Sequence, residues 1–106
     1  MPDNYEVYSP ESANSGGPWV VAIEYSNQGD AKPPTVVKVS DTQHPSRDGA
    51  LAAAEKHAFE FQPPDPFSPQ RRHVFRDGPD GFLVIIQGAM STFHMSVRVL
   101  EYVGKA

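Results

Sequence analysis

The chain contains no cysteine, so disulfides, thiolate nucleophiles and thiolate metal ligands are all excluded. It also has no Asn-x-Ser/Thr glycosylation site, and its first fifteen residues lack the charged and then apolar pattern of a signal peptide. No apolar run approaches the roughly 18 residues that a membrane-spanning helix needs. We therefore expect a cytoplasmic protein that does not enter a membrane.

Positive charge is also scarce, because nine lysine and arginine residues stand against thirteen aspartate and glutamate residues, giving a formal net charge of −4. Domains held to nucleic acid by bulk electrostatics are usually strongly basic. The charge balance therefore disfavours a nucleic-acid partner, although it leaves room for a local basic patch.

The length of 106 residues fits one domain with one modest hydrophobic core. Residues 1–17 are polar, without sustained periodicity, and contain two prolines and a Ser-Gly-Gly run. We interpret them as a flexible N-terminal arm, whose Tyr5, Val7 and Tyr8 could dock on another surface. Residues 18–106 are predicted to form a single α+β domain.

The most informative stretch runs from Phe82 to Val103, because it encodes two strands of different burial. Residues 82–86 are apolar at every position, which is typical of a strand covered on both faces. Phe93, Met95, Val97 and Val99 instead alternate with Thr92, His94, Ser96 and Arg98. This second pattern predicts a strand that is covered on one face only.

The remaining elements follow from periodicity and turn residues. Strands are predicted at Trp19–Tyr25, Thr35–Ser40, Arg71–Arg76, Phe82–Gln87 and Ser91–Val103. Between the second and third strands a helix is predicted over Ala50–Phe61, with Ser46 as its N-cap and Asp48 in its first turn. Its apolar stripe comprises Leu51, Ala54, Ala58 and Phe61, flanked by Phe59. In the second strand, Val37 and Val39 are expected to face the core.

This order predicts an α+β fold in which an antiparallel sheet of about five strands carries one helix packed on one face. The second face of the sheet then needs its own cover. Its candidate interface residues are Leu83, Ile85, Leu100 and Tyr102. Either the N-terminal arm or a second copy of the chain, related by a two-fold axis, could cover them.

Polar candidates are fewer and less specific. The four histidines show no metal-binding spacing, so we expect no metal and no cofactor. Arg72 and Arg76 belong to a short basic run, and His94 and Arg98 share one face of the last strand. These four residues are candidate ligand- or anion-binding residues, although we favour the simpler interpretation that they belong to a solubilised edge strand and a solvated strand face.

The function hypotheses follow in order of preference. No catalytic motif is present, and no catalytic residue is assigned. We favour a small non-catalytic binding or protein–protein interaction module that self-associates, as a homodimer, through the second sheet face. Nucleic-acid or polyanion binding through Arg71–Arg76 is the alternative, and a small enzyme or ligand carrier using His94 and Arg98 is a further one.

Overall fold

Five strands and one helix make up the part of the chain that the computed structural model describes, residues 17–27, 33–66 and 68–106. They are β1 (Trp19–Ser26), β2 (Thr35–Val39), α1 (Arg47–Glu60), β3 (Pro69–Arg76), β4 (Gly81–Gly88) and β5 (Thr92–Glu101). The predicted α+β class and element order are confirmed, with bounds that differ by a few residues. Except for Gly17, the predicted N-terminal arm lies outside the described residues.

The strands form one antiparallel sheet in the order β2-β1-β5-β4-β3. Two short hairpins connect β3, β4 and β5, and β5 then pairs with β1 to join this meander to the β1–β2 hairpin. Because β2 and β3 lie at opposite edges, the segment that connects them must cross the whole sheet. It does so as α1, which packs on one face against β1, β5, β4 and β3.

The hydrophobic core lies between α1 and the covered face of the sheet. Three alanines spaced four residues apart, Ala50, Ala54 and Ala58, are fully buried, and their small side chains let the helix approach the strands closely. The strand side chains that complete this cluster are Val21, Ile23, Phe82, Val84, Ile86, Met95, Val97 and Val99. Trp19 and Tyr25 pack against the same cluster, so both lie beneath the helix.

The start of α1 follows the sequence prediction. Ser46 is the N-cap, its Oγ accepts a hydrogen bond from the Gly49 backbone N–H at 3.0 Å, and Asp48 lies in the first turn. Such a cap satisfies one of the unpaired N–H groups at a helix start. Arg47 in the same turn forms an ion pair with Asp80, which ties the helix to the β3–β4 turn.

Two predicted placements of apolar side chains are wrong. Val37 and Val39 are 51% and 53% exposed on the face away from α1, because the register pairs Ile23 with Lys38 and thereby turns the even-numbered residues of β2 toward the helix side. Phe59, expected beside the buried stripe, is 59% exposed. The buried side of the helix is its stripe of Ala50, Ala54 and Ala58, and Phe59 points about 100° away from Ala58 around the helix axis.

The connections contain two glycines that other residues could not replace easily. Gly78 has φ +70° in the β3–β4 turn, a conformation that L-residues with side chains rarely adopt. At the end of β4, a Cβ on Gly88 would lie 2.6 Å from the Pro66 Cβ. Pro66 is buried there, so the proline-rich segment after α1 is held against the sheet.

Candidate interaction surface

The face of the sheet away from α1, here called the open face, is the surface that the sequence predicted to need a cover. Strand alternation and the pairing register define its members. They are Thr35, Val37 and Val39 in β2; Val20, Ala22, Glu24 and Ser26 in β1; Thr92, His94, Ser96, Arg98 and Leu100 in β5; Gly81, Leu83, Ile85 and Gln87 in β4; and Arg71, His73 and Phe75 in β3. Val20 and Ala22, near the middle of this face, are buried.

Apolar side chains occupy both margins of the open face. Val37 and Val39 lie at one edge, and Phe75, which is 51% exposed, lies at the other. Leu83 and Ile85 are half-buried beside Phe75. Exposed apolar groups that share one face in this way are typical of surfaces that bind another protein.

Two further predicted interface residues lie near the end of β5. Leu100 pairs with Val20 on the open face and is 37% exposed. Tyr102 follows the strand, with its backbone N–H donated to the Pro18 carbonyl at 2.9 Å and its side chain 49% exposed. Of the four candidate interface residues, Leu83, Ile85 and Leu100 therefore lie on the open face, and Tyr102 lies beyond its strands.

The middle of the open face is polar and contains an ion pair. An Arg98 guanidinium nitrogen donates to the Glu24 carboxylate at 3.0 Å, joining β5 to β1. Both side chains are more than one third exposed, so the pair contributes little to the stability of the monomer. Its main consequence is that the two charges at the centre of the face cancel locally.

His94 lies on the same face but apart from Arg98. Together with Ser96 it lines a cleft of about 150 Å³, whose other lining residues are Glu24, Tyr25, Ser26 and Thr35. Two same-face steps separate His94 from Arg98, a distance of roughly 13 Å along a strand. This cleft is smaller than the roughly 300 Å³ at which small-molecule pockets begin, and Arg98 is not among its lining residues.

Arg72 joins β3 to the C-terminal end of α1 on the covered side of the sheet. Its guanidinium donates to the carbonyls of Ala58 at 2.8 Å and Phe61 at 2.6 Å, and also to the Gln62 side chain. These are the carbonyls that a helix end leaves without intrahelical partners. Burial lowers the pKa of Arg72 from its ordinary value, but arginine stays protonated in proteins.

Arg76 is also engaged within the chain. It donates to the carbonyls of Gly78 and Pro79, both at 3.1 Å, and its guanidinium lies 5.5 Å from the Phe82 ring centroid. Arg72 and Arg76 lie on the covered side, whereas His94 and Arg98 lie on the open face. The structure therefore does not bring the four candidate anion-binding residues together.

The remaining cavities among the described residues lack a set of converging polar groups. Two larger cavities, of about 340 and 290 Å³, lie around the β4–β5 turn at Ala89, Met90 and Ser91, without a cluster of converging charged groups. Among the described residues, no three His, Asp or Glu side chains are placed to hold a metal ion. No helix in the described ranges is long and apolar enough to cross a membrane.

The chain matches no known protein-family model, and neither curated proteins nor solved structures contain a significant match. The geometry of the open face is therefore the basis for a functional proposal.

Sequence reasoning missed three residues of this surface: Val37, Val39 and Phe75. A signal for the valines was present, because β2 reads Thr-Val-Val-Lys-Val and so carries apolar residues on both parities. Phe75 stands among basic residues, a context typical of a charged surface rather than an apolar one.

Proposed function

We propose that this protein is a small, non-catalytic protein–protein interaction module that self-associates through the open face. The observation that carries the proposal is the position of Val37, Val39 and Phe75, all about half exposed, at the two margins of one sheet face. Removing solvent-exposed apolar groups of this kind from water lowers the free energy, so a second surface that covers them is stabilised by the contact.

A second copy of the chain fits this face in three respects. A two-fold interface joins the same patch of both copies, so the charges of the patch must not repel the equivalent charges of the second copy. The central Glu24–Arg98 pair supplies one charge of each sign, which avoids net repulsion there. Five strands about 4.8 Å apart and about 25 Å long give roughly 600 Å² per copy, the lower range of stable interfaces.

The non-catalytic part of the proposal has separate support. His94 and Arg98 carry the enzyme and ligand-carrier alternative, but they lie two same-face steps apart on β5, and the cleft that His94 lines among the described residues does not include Arg98. Polyanion binding has little support, because Arg72 and Arg76 already donate to backbone carbonyls of their own chain.

Sedimentation equilibrium of the full chain over a range from high micromolar to nanomolar concentration tests the proposal. We expect dimers that dissociate on dilution. The double variant Val37→Lys/Val39→Lys should raise the dissociation constant of the dimer by at least about tenfold, because each copy would bury two uncompensated charges. Phe59→Lys is the matched control, since Phe59 is equally exposed on α1, and it should leave the dissociation constant unchanged.

A chain that stays monomeric at high micromolar concentration would overturn the proposal. In that case, a Tyr5→Ser/Tyr8→Ser variant shows whether the N-terminal arm covers the face. Increased binding of a hydrophobic dye by this variant would identify the arm as the cover.

A further inference from the structure

From the strand register we infer that the two copies pack with their two-fold axis parallel to the strands and running between β1 and β5. The inference rests on the proposed function and specifies its partner geometry. Sheets that pack face to face keep their strands aligned within about 30°. Near the middle of the face, a residue therefore lies opposite the same partner residue that it would face if the strands of the two sheets were parallel.

The register arranges the open face in rows that run across the strands. One row contains Val37, Glu24, Ser96, Leu83 and Phe75, in the order β2, β1, β5, β4 and β3. The next row contains Val39, Ala22, Arg98 and Gly81. Val20 and Leu100 form a third row on β1 and β5.

An axis between β1 and β5 exchanges β1 with β5 and β2 with β4. It therefore places Val37 opposite Leu83 of the second copy, and Val20 opposite Leu100 of the second copy. Apolar side chains then meet apolar side chains at the β2 margin and at the end of the face. Because only four strands of each copy face each other, β3 and its Phe75 extend past β2 of the second copy.

The same axis also arranges the charges favourably. Glu24 lies opposite Ser96 of the second copy, one same-face step from Arg98 of that copy. The two Glu24–Arg98 pairs thus form a group of four charges that alternate in sign around the axis. Ion pairs removed from water in this way fix the register of an interface.

Other two-fold axes match this surface less well. An axis along β5 faces all five strands and places Val37 opposite Phe75 of the second copy, but it also places Arg98 opposite Arg98 and His94 opposite His94. An axis perpendicular to the strands through the row of Glu24 places Glu24 opposite Glu24. If that axis lies between the first two rows, Val37 meets Val39 of the second copy, but Leu100 then meets His94. Like charges or mismatched polarity result in each case.

Cysteine cross-linking tests the axis directly, because the natural chain contains no cysteine. Full-length Val37→Cys and Leu83→Cys proteins are prepared separately, mixed, allowed to exchange subunits and treated with a short bis-maleimide. We expect at least about tenfold more covalent dimer in the mixture than in either variant alone. Each protein carries a single cysteine, because the natural chain has none, so every covalent product must join two chains.

A second pair guards against a variant that fails to fold. Thr35→Cys and Ile85→Cys occupy the neighbouring row and should cross-link in the same selective way. Cross-linking of Val37→Cys with Val39→Cys, or of Val37→Cys with itself, in a dimeric protein would overturn the inferred axis but not the proposed function. A monomer in sedimentation equilibrium would instead overturn the proposed function, and the axis with it.

Discussion

Ile85 and Ile86 are identical neighbours in β4, yet they lie in different environments. Ile86 points toward α1 and is 1% exposed, whereas Ile85 points to the open face and is half-buried. The covered face packs against α1. On the open face, Val20 and Ala22 are buried, and most of the other described side chains keep part of their surface in water. The comparison shows that the chain places apolar residues on two faces but covers only one of them within its described residues.

The largest expected effect comes from truncating these two isoleucines. Ile86→Ala should lower the free energy of unfolding by about 3 to 4 kcal/mol, because it removes buried methyl groups and leaves a cavity under the helix. Ile85→Ala should lower the free energy of unfolding by about half as much, since the Ile85 side chain is already partly exposed to water. Urea unfolding of dilute protein measures both values.

Equal losses for the two variants would contradict the comparison. Such a result would mean that the open face is as well covered in the monomer as the face beneath α1.

Adjacent arginines in β3 provide the second comparison. Arg72→Met keeps an apolar stem but removes the donors that bind the end of α1, so we expect a loss of about 2 kcal/mol, as for charged hydrogen bonds. Arg71→Met on the open face should cost less than about 0.5 kcal/mol. Urea midpoints together with helical circular dichroism measure both effects. A larger loss of stability for Arg71→Met than for Arg72→Met would contradict the conclusion that Arg72 is the arginine that holds the end of α1.

The third prediction concerns how much the N-cap of α1 contributes to the stability of the helix that packs on the sheet. Ser46→Ala removes the side-chain acceptor for the Gly49 N–H and should cost about 1 kcal/mol. Ser40→Ala is the control, because Ser40 accepts a bond from Thr42 in an exposed loop. Thermal unfolding should show a lower midpoint for the first variant only, and matching midpoints would mean that the cap does not stabilise α1.

The smallest expected effect concerns the ion pair on the open face. A double-mutant cycle with Glu24→Gln and Arg98→Gln should give a coupling of about 0.5 kcal/mol in dilute, monomeric protein. The coupling should also weaken in high salt, because exposed charges are screened. A coupling above about 2 kcal/mol would show that solvent does not reach the pair, contrary to an open face.

Much of the fold could be predicted from local patterns. Ser46 and Asp48 marked the start of α1, the Asp77–Gly81 segment marked the turn before β4, and alternation from Phe93 to Val99 identified β5. Such signals depend on neighbours in the chain, through backbone geometry and hydrogen bonds between nearby residues. They are therefore present before any tertiary contact forms.

The composition of the candidate surface was less predictable. Val37 was expected in the core and is exposed, because the β1–β2 register selects which parity of β2 faces the helix. Arg72 was a candidate anion-binding residue, and the fold instead places it at the carbonyls of Ala58 and Phe61. The β1–β2 pairing and the contacts of Arg72 with α1 both join residues on different elements of the chain, so no local spacing rule could reveal them.

The sequence by itself determined the elements, their order and the presence of apolar residues on both parities of β4, because each depends on short-range periodicity. Only the tertiary structure decided the strand order β2-β1-β5-β4-β3, the side that α1 covers and the members of the open face. Strand pairing and helix docking join residues far apart in the chain, and several registers satisfy the same local pattern until packing selects one.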